Sequence, residues 1–259
     1  MLSFPSERRG TNNGWAMSGA YRPYPPPHGP WAVAQTWSDL LFAHWPLPAA
    51  ALRPLLPAGL PLDTFDGVAW LGVVPFRMSG VHPRLLPAVP WLSAFPELNV
   101  RTYVVRDGRP GVFFFSLDAG NPVAVALGRG VFKLPYFRAR MRSTTRSGEI
   151  AYVSERTHHG VPRARFAARY GPSGPGAAPS LGSLAYFLTA RYCLYAADRA
   201  GRQYRAEIDH APWPLQPAAA TIAANTLAAA HGIILPEQPP LLHFARRLDV
   251  RVWPLRRLA

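Results

Sequence analysis

The sequence predicts a β-rich α+β domain, and three observations carry this prediction. From Trp31 onward, short apolar runs alternate with turn residues, which is typical of strands joined by tight turns. Asp107-Gly108 separates two runs rich in β-branched and aromatic residues, the pattern of a two-residue hairpin. A chain of 259 residues can bury a sizeable core without disulfides. We therefore expect a single domain over residues 31–259.

Most of the remaining pattern indicates strands, and a few segments favour helices instead. Residues 48–56 end at Pro57, and residues 121–132 open with an asparagine cap and a proline at the first helical position. Residues 217–231 are rich in alanine and are followed by Gly232, which predicts a third helix. The predicted strands are 35–45, 68–78, 97–106, 111–118, 150–156, 163–170, 203–210 and 247–253.

The first thirty residues differ in composition from the rest of the chain. They are polar and then proline-rich (YRPYPPPHGP at 21–30), with no apolar periodicity. Such a composition cannot bury enough apolar surface to order itself. Residues 1–30 are therefore expected to form a disordered or extended tail.

Charge and cysteine content limit the classes of protein to which this chain can belong. The formal net charge is +14, but Lys133 is the only lysine among 28 basic residues, and the arginines are scattered rather than grouped. This distribution predicts no specific nucleic-acid partner. One cysteine, no secretory signal and no apolar run of membrane-spanning length predict a cytoplasmic protein without a membrane partner. A homo-oligomer remains open.

The predicted hairpin at Asp107-Gly108 places several polar side chains on one face. If the two strands pair from the turn backward, Tyr103 lies opposite Val112. Strict alternation then puts Ser116 and Asp118 of the second strand on the same face as the polar residues of strand 97–106. The predicted polar face consists of Glu97, Asn99, Arg101, Tyr103, Ser116 and Asp118.

Two interpretations of this polar face remain open. The face is either solvated, with Arg101 between two surface carboxylates, or it lines the interior of a curled sheet, where ligands bind. In an interior, Glu97 and Asp118 would perturb each other's pKa values and could perform acid–base chemistry beside Arg101.

Several blocks of the chain, in order, resemble the YqjF-like bacterial family, which is grouped with the acetoacetate decarboxylase-like superfamily. The resemblance covers about residues 31–254, and its blocks are TWSDLLFAHWPL, LDTFDGVAWLGVVPFRM, FPELNVRTYV, GVFFFSLDA, LPY, LTARYCLY and EIDHAPWPLQ. It implies an open antiparallel β-barrel with a few packing helices and a central cavity. It also implies that Glu97, which follows a proline at a strand entrance, faces that cavity.

The Schiff-base lysine of acetoacetate decarboxylases is missing from the corresponding motif. The stretch GRGVFKLPY (128–136) aligns with the decarboxylase motif without a gap, and Tyr136 stands where the catalytic lysine would be. Imine chemistry needs a primary amine, which tyrosine cannot supply. Lys133 lies three positions away, on the opposite face of an extended chain, and is disfavoured as a replacement.

Histidines provide no clear metal signature. His158 and His159 are adjacent and point to opposite faces of a strand, while His44 and His210 lie among aromatic residues within family-like blocks. We expect no metal and no cofactor, and we assign His44, His210 and Tyr136 to the lining of the ligand site.

The sequence thus predicts a small-molecule-binding protein of the acetoacetate decarboxylase-like kind. As an enzyme it would be lyase- or isomerase-like and not a classical decarboxylase. Glu97, Asp118 and Arg101 would act by acid–base chemistry on a keto acid or oxygenated aromatic compound, and Asn99, Tyr103 and Ser116 would contact it. The alternative is a non-catalytic ligand-binding or structural barrel protein.

Overall fold

A computed structural model describes residues 21–89, 93–198 and 200–259. Its helices are α1 (Ala49–Leu52), α2 (Pro122–Gly130) and α3 (Leu184–Thr189), with short 3-10 turns at Arg53–Leu55 and Ala229–His231. The strands are β1 (Val33–Leu47), β2 (Ala69–Pro83), β3 (Phe95–Arg106), β4 (Arg109–Ala119), β5 (Tyr136–Arg146), β6 (Glu149–Arg156), β7 (Arg165–Pro172), β8 (Cys193–Ala197), β9 (Gln203–His210), β10 (Gln216–Asn225), β11 (Leu241–Val252) and β12 (Arg256–Arg257).

The strands form one continuous sheet that closes on itself twice. Its order is β12-β9-β8-β4-β3-β2-β1-β11-β10-β7-β6-β5, with further pairings of β9 to β11 and of β4 to β5. The first closure makes a seven-strand ring (β9, β8, β4, β3, β2, β1, β11), and the second makes a nine-strand ring (β4, β3, β2, β1, β11, β10, β7, β6, β5). Pairing is antiparallel except between β4 and its neighbours β5 and β8. The predicted fold class, a β-barrel with few helices, is confirmed.

Five strands belong to both rings, so their two faces line two different interiors. On β3, Leu98 and Val100 join the core of the nine-strand ring, whereas Tyr103 joins the core of the seven-strand ring. Both faces of this shared wall are therefore withdrawn from water, which explains why β3 is buried from Glu97 to Val104. A polar side chain on this strand must face one of the two interiors.

The hairpin between β3 and β4 is confirmed. Asp107 and Gly108 both have positive φ angles (53° and 67°), as two-residue turns matching the twist of a hairpin require. Helix α2 is confirmed as well: the Asn121 side chain accepts hydrogen bonds from the amides of Val123 and Ala124, and Pro122 opens the helix. The segment predicted at 48–56 forms α1 and the 3-10 turn after it.

The alanine-rich helix predicted at 217–231 is wrong. Residues up to Asn225 form β10, whose side chains alternate between half-buried and exposed, and a 3-10 turn follows at Ala229–His231. β10 pairs with β7 over most of its length and with β11 at its start. The hydrogen bonds and burial gained there outweigh alanine's helix preference, which is a fraction of a kcal/mol, roughly, per residue. The sequence analysis also missed β5, β8, β12 and α3.

Residues 21–30 pack on the barrel instead of extending the tail. The buried Arg22 side chain donates to Asp209 Oδ1 at 2.6 Å and to the carbonyl of Ile208 at 2.8 Å. Its guanidinium also lies over the Tyr192 ring, and the Trp253 indole donates to the carbonyl of Gly29. Residues 1–20 lie outside the described residues. Over the described ranges, no helix is long and apolar enough to cross a membrane.

Candidate functional site

The seven-strand ring encloses a cavity of about 490 Å³. All seven of its strands contribute side chains to the wall, and most of these are aliphatic or aromatic. The polar and charged side chains that line the cavity are Gln35, Glu97, Asn99, Arg101, Tyr136, Thr189, Arg191 and His210. A mostly apolar cavity with a few convergent polar groups is the usual form of a small-molecule site.

Exposure distinguishes the two ends of the cavity. We call the end lined by Leu86, Val89 and Leu127 the mouth, because these lining residues are exposed to solvent (60%, 41% and 56%). We call the end lined by Arg101, Thr189, Arg191 and His210 the bottom, because it lies against α3: Arg101 donates to the carbonyl of Leu188 and Arg191 to that of Phe187. Helix α3, which ends at Thr189, closes the bottom.

Glu97 and Tyr136 form a hydrogen-bonded pair in the cavity wall. The Tyr136 hydroxyl donates to Glu97 Oε2 at 2.9 Å. Burial raises the pKa of Glu97 to about 8, and the hydrogen bond from Tyr136 opposes part of that rise. Burial, with the Glu97 charge nearby, also raises the pKa of Tyr136 well above its usual value. At neutral pH both groups therefore hold their protons.

Gly128 makes room for the Tyr136 ring. A Cβ atom at position 128 would lie 2.3 Å from Cδ2 and 2.5 Å from Cε2 of Tyr136. Only glycine lets α2 approach β5 this closely. The carbonyl of Tyr136 also accepts a hydrogen bond from Arg129 at 2.8 Å. The GRG stretch thus positions Tyr136 from two sides.

Arg101 is a buried cation without a carboxylate partner among the described residues. Its Nη2 donates to the carbonyl of Leu188 at 3.2 Å and contacts the Tyr103 hydroxyl at 3.5 Å, and its guanidinium lies over the Phe42 ring. The neighbouring Arg191 differs, because it forms an ion pair with Asp63 Oδ2 at 2.5 Å. Glu97 and Asp118, the two carboxylates that the sequence places on the same face as Arg101, form no ion pair with it.

His44 and Tyr103 support the bottom from behind. His44 Nε2 lies 2.6 Å from the Tyr103 hydroxyl, which donates to the Leu188 carbonyl at 2.8 Å. Both side chains are fully buried, and neither belongs to the cavity lining. Burial, with Arg101 nearby, lowers the pKa of His44 well below its usual value, so the imidazole is neutral. These two residues position Arg101 rather than contact the cavity.

His210 does line the cavity. Its Nδ1 lies 2.7 Å from the carbonyl of Ala211, which fixes Nδ1 as the donor. The ring stacks on Tyr192 at 4.6 Å between centroids. Burial lowers the pKa of His210 to about 4, against the opposing effect of the Ala211 hydrogen bond. At neutral pH the His210 ring is therefore uncharged.

Ser116 and Asp118 lie outside the cavity, which corrects their predicted place. The predicted register holds from Arg106 back to Arg101, which pairs with Phe114. Val100 then pairs with Ser116, so Phe115 is an extra residue on β4. Such a bulge reverses which face every later side chain takes. Leu117 therefore enters the cavity in place of its two polar neighbours.

Both displaced residues have partners on the other side of the wall. Asp118 Oδ1 forms an ion pair with Arg156 Nε on β6 at 2.8 Å, with both side chains buried. Burial raises the pKa of Asp118, and the Arg156 charge opposes that rise. The Ser116 hydroxyl lies 3.1 Å from His231 Nε2. These groups thus belong to the interior of the nine-strand ring.

Lys133 is exposed and does not line the cavity; its ammonium group donates to the carbonyl of Gly130 at 2.6 Å. Over residues 21–89, 93–198 and 200–259, no three His, Cys, Asp or Glu side chains are grouped as metal ligands would be. The sequence analysis missed Thr189, Arg191 and Gly128. The available signal was the family-like block LTARYCLY for Thr189 and Arg191, and the alignment of GRGVFKLPY with the decarboxylase motif for Gly128.

The fold and its cavity define an acetoacetate decarboxylase-like barrel. The structure is similar to that of the acetoacetate decarboxylase of Legionella pneumophila, with a TM-score of 0.64 and 15% identity, covering 100% of this chain and 98% of the other. It is also similar to the enduracididine biosynthesis enzyme MppR in complex with a condensation product of pyruvate and imidazole 4-carboxaldehyde, with a TM-score of 0.62 and 13% identity, covering 89% and 90%.

The chain belongs to the DUF2071 family, described as an uncharacterized conserved protein, whose model matches residues 34–249. It is 48% identical over 231 residues to the uncharacterized protein YqjF of Bacillus subtilis (strain 168), covering 89% of this chain and 94% of that protein. The resemblance found in the sequence is thereby confirmed.

Proposed function

We propose that the cavity binds a small organic acid and that Arg101 holds its carboxylate. The observation that carries this proposal is the buried guanidinium of Arg101, which lines the cavity without a carboxylate partner among the described residues. An uncompensated cation in a buried site costs several kcal/mol, roughly. An anionic ligand supplies the missing charge, and the apolar walls accommodate its carbon skeleton.

Glu97 serves as the acid in this proposal. Its pKa of about 8 keeps the carboxyl group mainly protonated at neutral pH, and Tyr136 occupies Oε2. The proton is then available on the other oxygen for a ketone or hydroxyl oxygen of the ligand. Because Tyr136 stands in place of an amine, the chemistry is proton transfer without a Schiff base. Keto–enol interconversion of a keto acid fits this set of groups.

Binding is tested by calorimetry with phenylpyruvate, 5-oxohexanoate and their methyl esters. We expect Arg101→Met to weaken binding of both carboxylates by about tenfold or more and to leave the esters unchanged. Arg169→Met, at an exposed ion pair with Glu149, is the matched control and should change nothing. If neither carboxylate binds, or if Arg101→Met leaves their affinity intact, the proposal is wrong.

Acid chemistry is tested by NMR in heavy water with 6-oxoheptanoate. In enolisation Glu97 gives its proton to the ketone oxygen, and the resulting carboxylate takes a proton from the adjacent carbon, so that Glu97 ends protonated. Repeated in heavy water, this exchanges the protons on the carbons next to the ketone for deuterium. We expect this exchange to depend on Glu97 and to persist in Glu149→Gln, whose substituted side chain is exposed. Binding without exchange in the wild type would favour the non-catalytic alternative.

A further inference from the structure

The polar groups of the cavity lie in a fixed order from mouth to bottom. Glu97, Asn99 and Arg101 occupy alternate positions on β3, and all three line the cavity. α2, which contributes Leu127 to the mouth, follows the end of β4 that pairs with Glu97. Arg101 lies farther along β3, where it contacts the carbonyl of Leu188 in α3. Glu97 is therefore nearer the mouth, and Arg101 lies deeper.

The two ends of this row are well separated. Four residues of extended strand place the Cα atoms of Glu97 and Arg101 about 13 Å apart. Arg101 does not lean back toward Glu97, because its Nη2 contacts Leu188 and Tyr103, both on the far side. Its guanidinium shares the Tyr103 ring with that of Arg191 at the bottom. A carboxylate bound by Arg101 is thus remote from the carboxyl group of Glu97.

We infer that the ligand is an elongated organic acid whose carboxylate lies at Arg101 and whose second oxygen lies at Glu97, on a carbon about five or six bonds from the carboxylate carbon. This inference rests on the proposed function and adds the size and polarity of the ligand. Once the reach of a hydrogen bond or ion pair at each end is subtracted, roughly 6 to 7 Å remain to be spanned. Three bonds of an extended chain cover about 3.5 Å, which sets the number of bonds.

The remaining wall supports a long apolar body. Between and around the polar groups, the cavity presents Leu40, Val74, Phe76, Phe114 and Leu117, and the exposed leucines of the mouth continue this apolar surface outward. Burying each methylene group of a ligand here strengthens binding about fourfold. A three- or four-carbon keto acid can contact Arg101 or Glu97 but cannot reach both.

The test is a calorimetric series of 3-oxobutanoate, 4-oxopentanoate, 5-oxohexanoate, 6-oxoheptanoate and 7-oxooctanoate, each paired with the unsubstituted acid of the same length. The ratio of the two dissociation constants isolates the contribution of the ketone from that of chain length. We expect 3-oxobutanoate to bind about as tightly as its unsubstituted acid. We expect 6-oxoheptanoate or 7-oxooctanoate to bind about fivefold or more tightly than the unsubstituted acid of the same length. Glu97→Leu should abolish the gain at these lengths, while Glu149→Leu should preserve it.

The outcomes separate this inference from the proposed function. If acids bind through Arg101 but the ketone contributes equally at every length, the elongated ligand is excluded and the carboxylate site survives. The same holds if the ketone's gain is greatest in 3-oxobutanoate. If no acid in the series binds, or if Arg101→Met leaves binding unchanged, the proposed function itself fails.

Discussion

Glu97 binds its proton more tightly in the folded protein than in the unfolded chain. Burial raises its pKa from the usual 4.5 to about 8, so the unfolded chain loses this proton first as pH rises. The contribution of Glu97 therefore makes stability fall as pH rises from about 4.5 through 8. We expect Glu97→Gln to flatten that decline, measured as the free energy of unfolding in urea. Glu149→Gln should retain the wild-type slope; equal slopes in all three proteins would show that Glu97 ionises normally.

Gly128 offers a second test at the level of single residues. In Gly128→Ala the new methyl group would overlap the Tyr136 ring, which must then move and weaken its hydrogen bond to Glu97. We expect a loss of about 1–3 kcal/mol in unfolding free energy and weaker binding of oxo acids. Gly130→Ala is the matched control, because a Cβ there meets nothing within 4 Å. Equal stability of the two variants would contradict the close packing of α2 on Tyr136.

For some residues of the site the sequence predicts the correct face of the sheet, and for others it does not. Strict alternation correctly puts Glu97, Asn99 and Arg101 on one face, because β3 runs without an extra residue. The same rule fails on β4, since the run Phe113-Phe114-Phe115 repeats one side chain and gives no period that could locate the bulge. Nothing local in the sequence shows that Phe115 is the unpaired residue, so tertiary pairing decides the faces of Ser116 and Asp118.

At the scale of elements, pairing partners decide what local preference cannot. α2 is predictable because its cap and first proline act within a few residues, and the Asp107-Gly108 turn acts equally locally. β10 is not, because its alanines favour a helix in isolation and become a strand only between β7 and β11. Half-buried Ala218, Ala220 and Ile222 pack on the core of the nine-strand ring at every second position.

The segment 21–30 makes a further prediction at this scale. Arg22→Met leaves Asp209 without its 2.6 Å partner and removes one of the cations near Glu207. Because the Arg22 side chain is buried, we expect a loss of about 3 kcal/mol in unfolding free energy. Arg247→Met, which breaks an exposed ion pair with Asp249, should cost less than about 1 kcal/mol. Equal effects of the two substitutions would show that residues 21–30 contribute nothing to stability.

At the scale of the whole molecule, a substitution inside the nine-strand ring should lower the free energy of unfolding without changing the affinity of the cavity in the seven-strand ring. Arg156→Met leaves Asp118 buried without its cation in the nine-strand ring, which should cost about 3–5 kcal/mol. The affinity for 6-oxoheptanoate should stay unchanged, because neither residue lines the cavity. Adding Asp118→Leu should restore part of the lost stability. Loss of affinity in the folded Arg156→Met variant would show that the two interiors are coupled.

Arg101→Met is expected to behave in the opposite way. Because Arg101 is buried without a carboxylate partner among the described residues, its removal should leave the unfolding free energy of the ligand-free protein unchanged or raise it. Binding of organic acids should fall at the same time. Urea unfolding and calorimetry on the same preparation measure both. A large loss of stability would mean that the guanidinium serves the fold rather than a ligand.

The extra residue at Phe115 makes the contents of both interiors depend on chain length in β4. Deleting Phe115 would restore strict alternation and turn Ser116 and Asp118 toward the cavity, while Leu117 would rotate into the neighbouring core. The cavity would then hold two carboxyl groups, and Arg156 would lose its counter-ion. An insertion or deletion of one residue in β4 therefore exchanges the side chains that face the seven-strand ring with those that face the nine-strand ring. A sequence alignment with a divergent relative that is displaced by one position in β4 would therefore place an acidic residue in the wrong ring. The residues of β4 themselves would be unchanged.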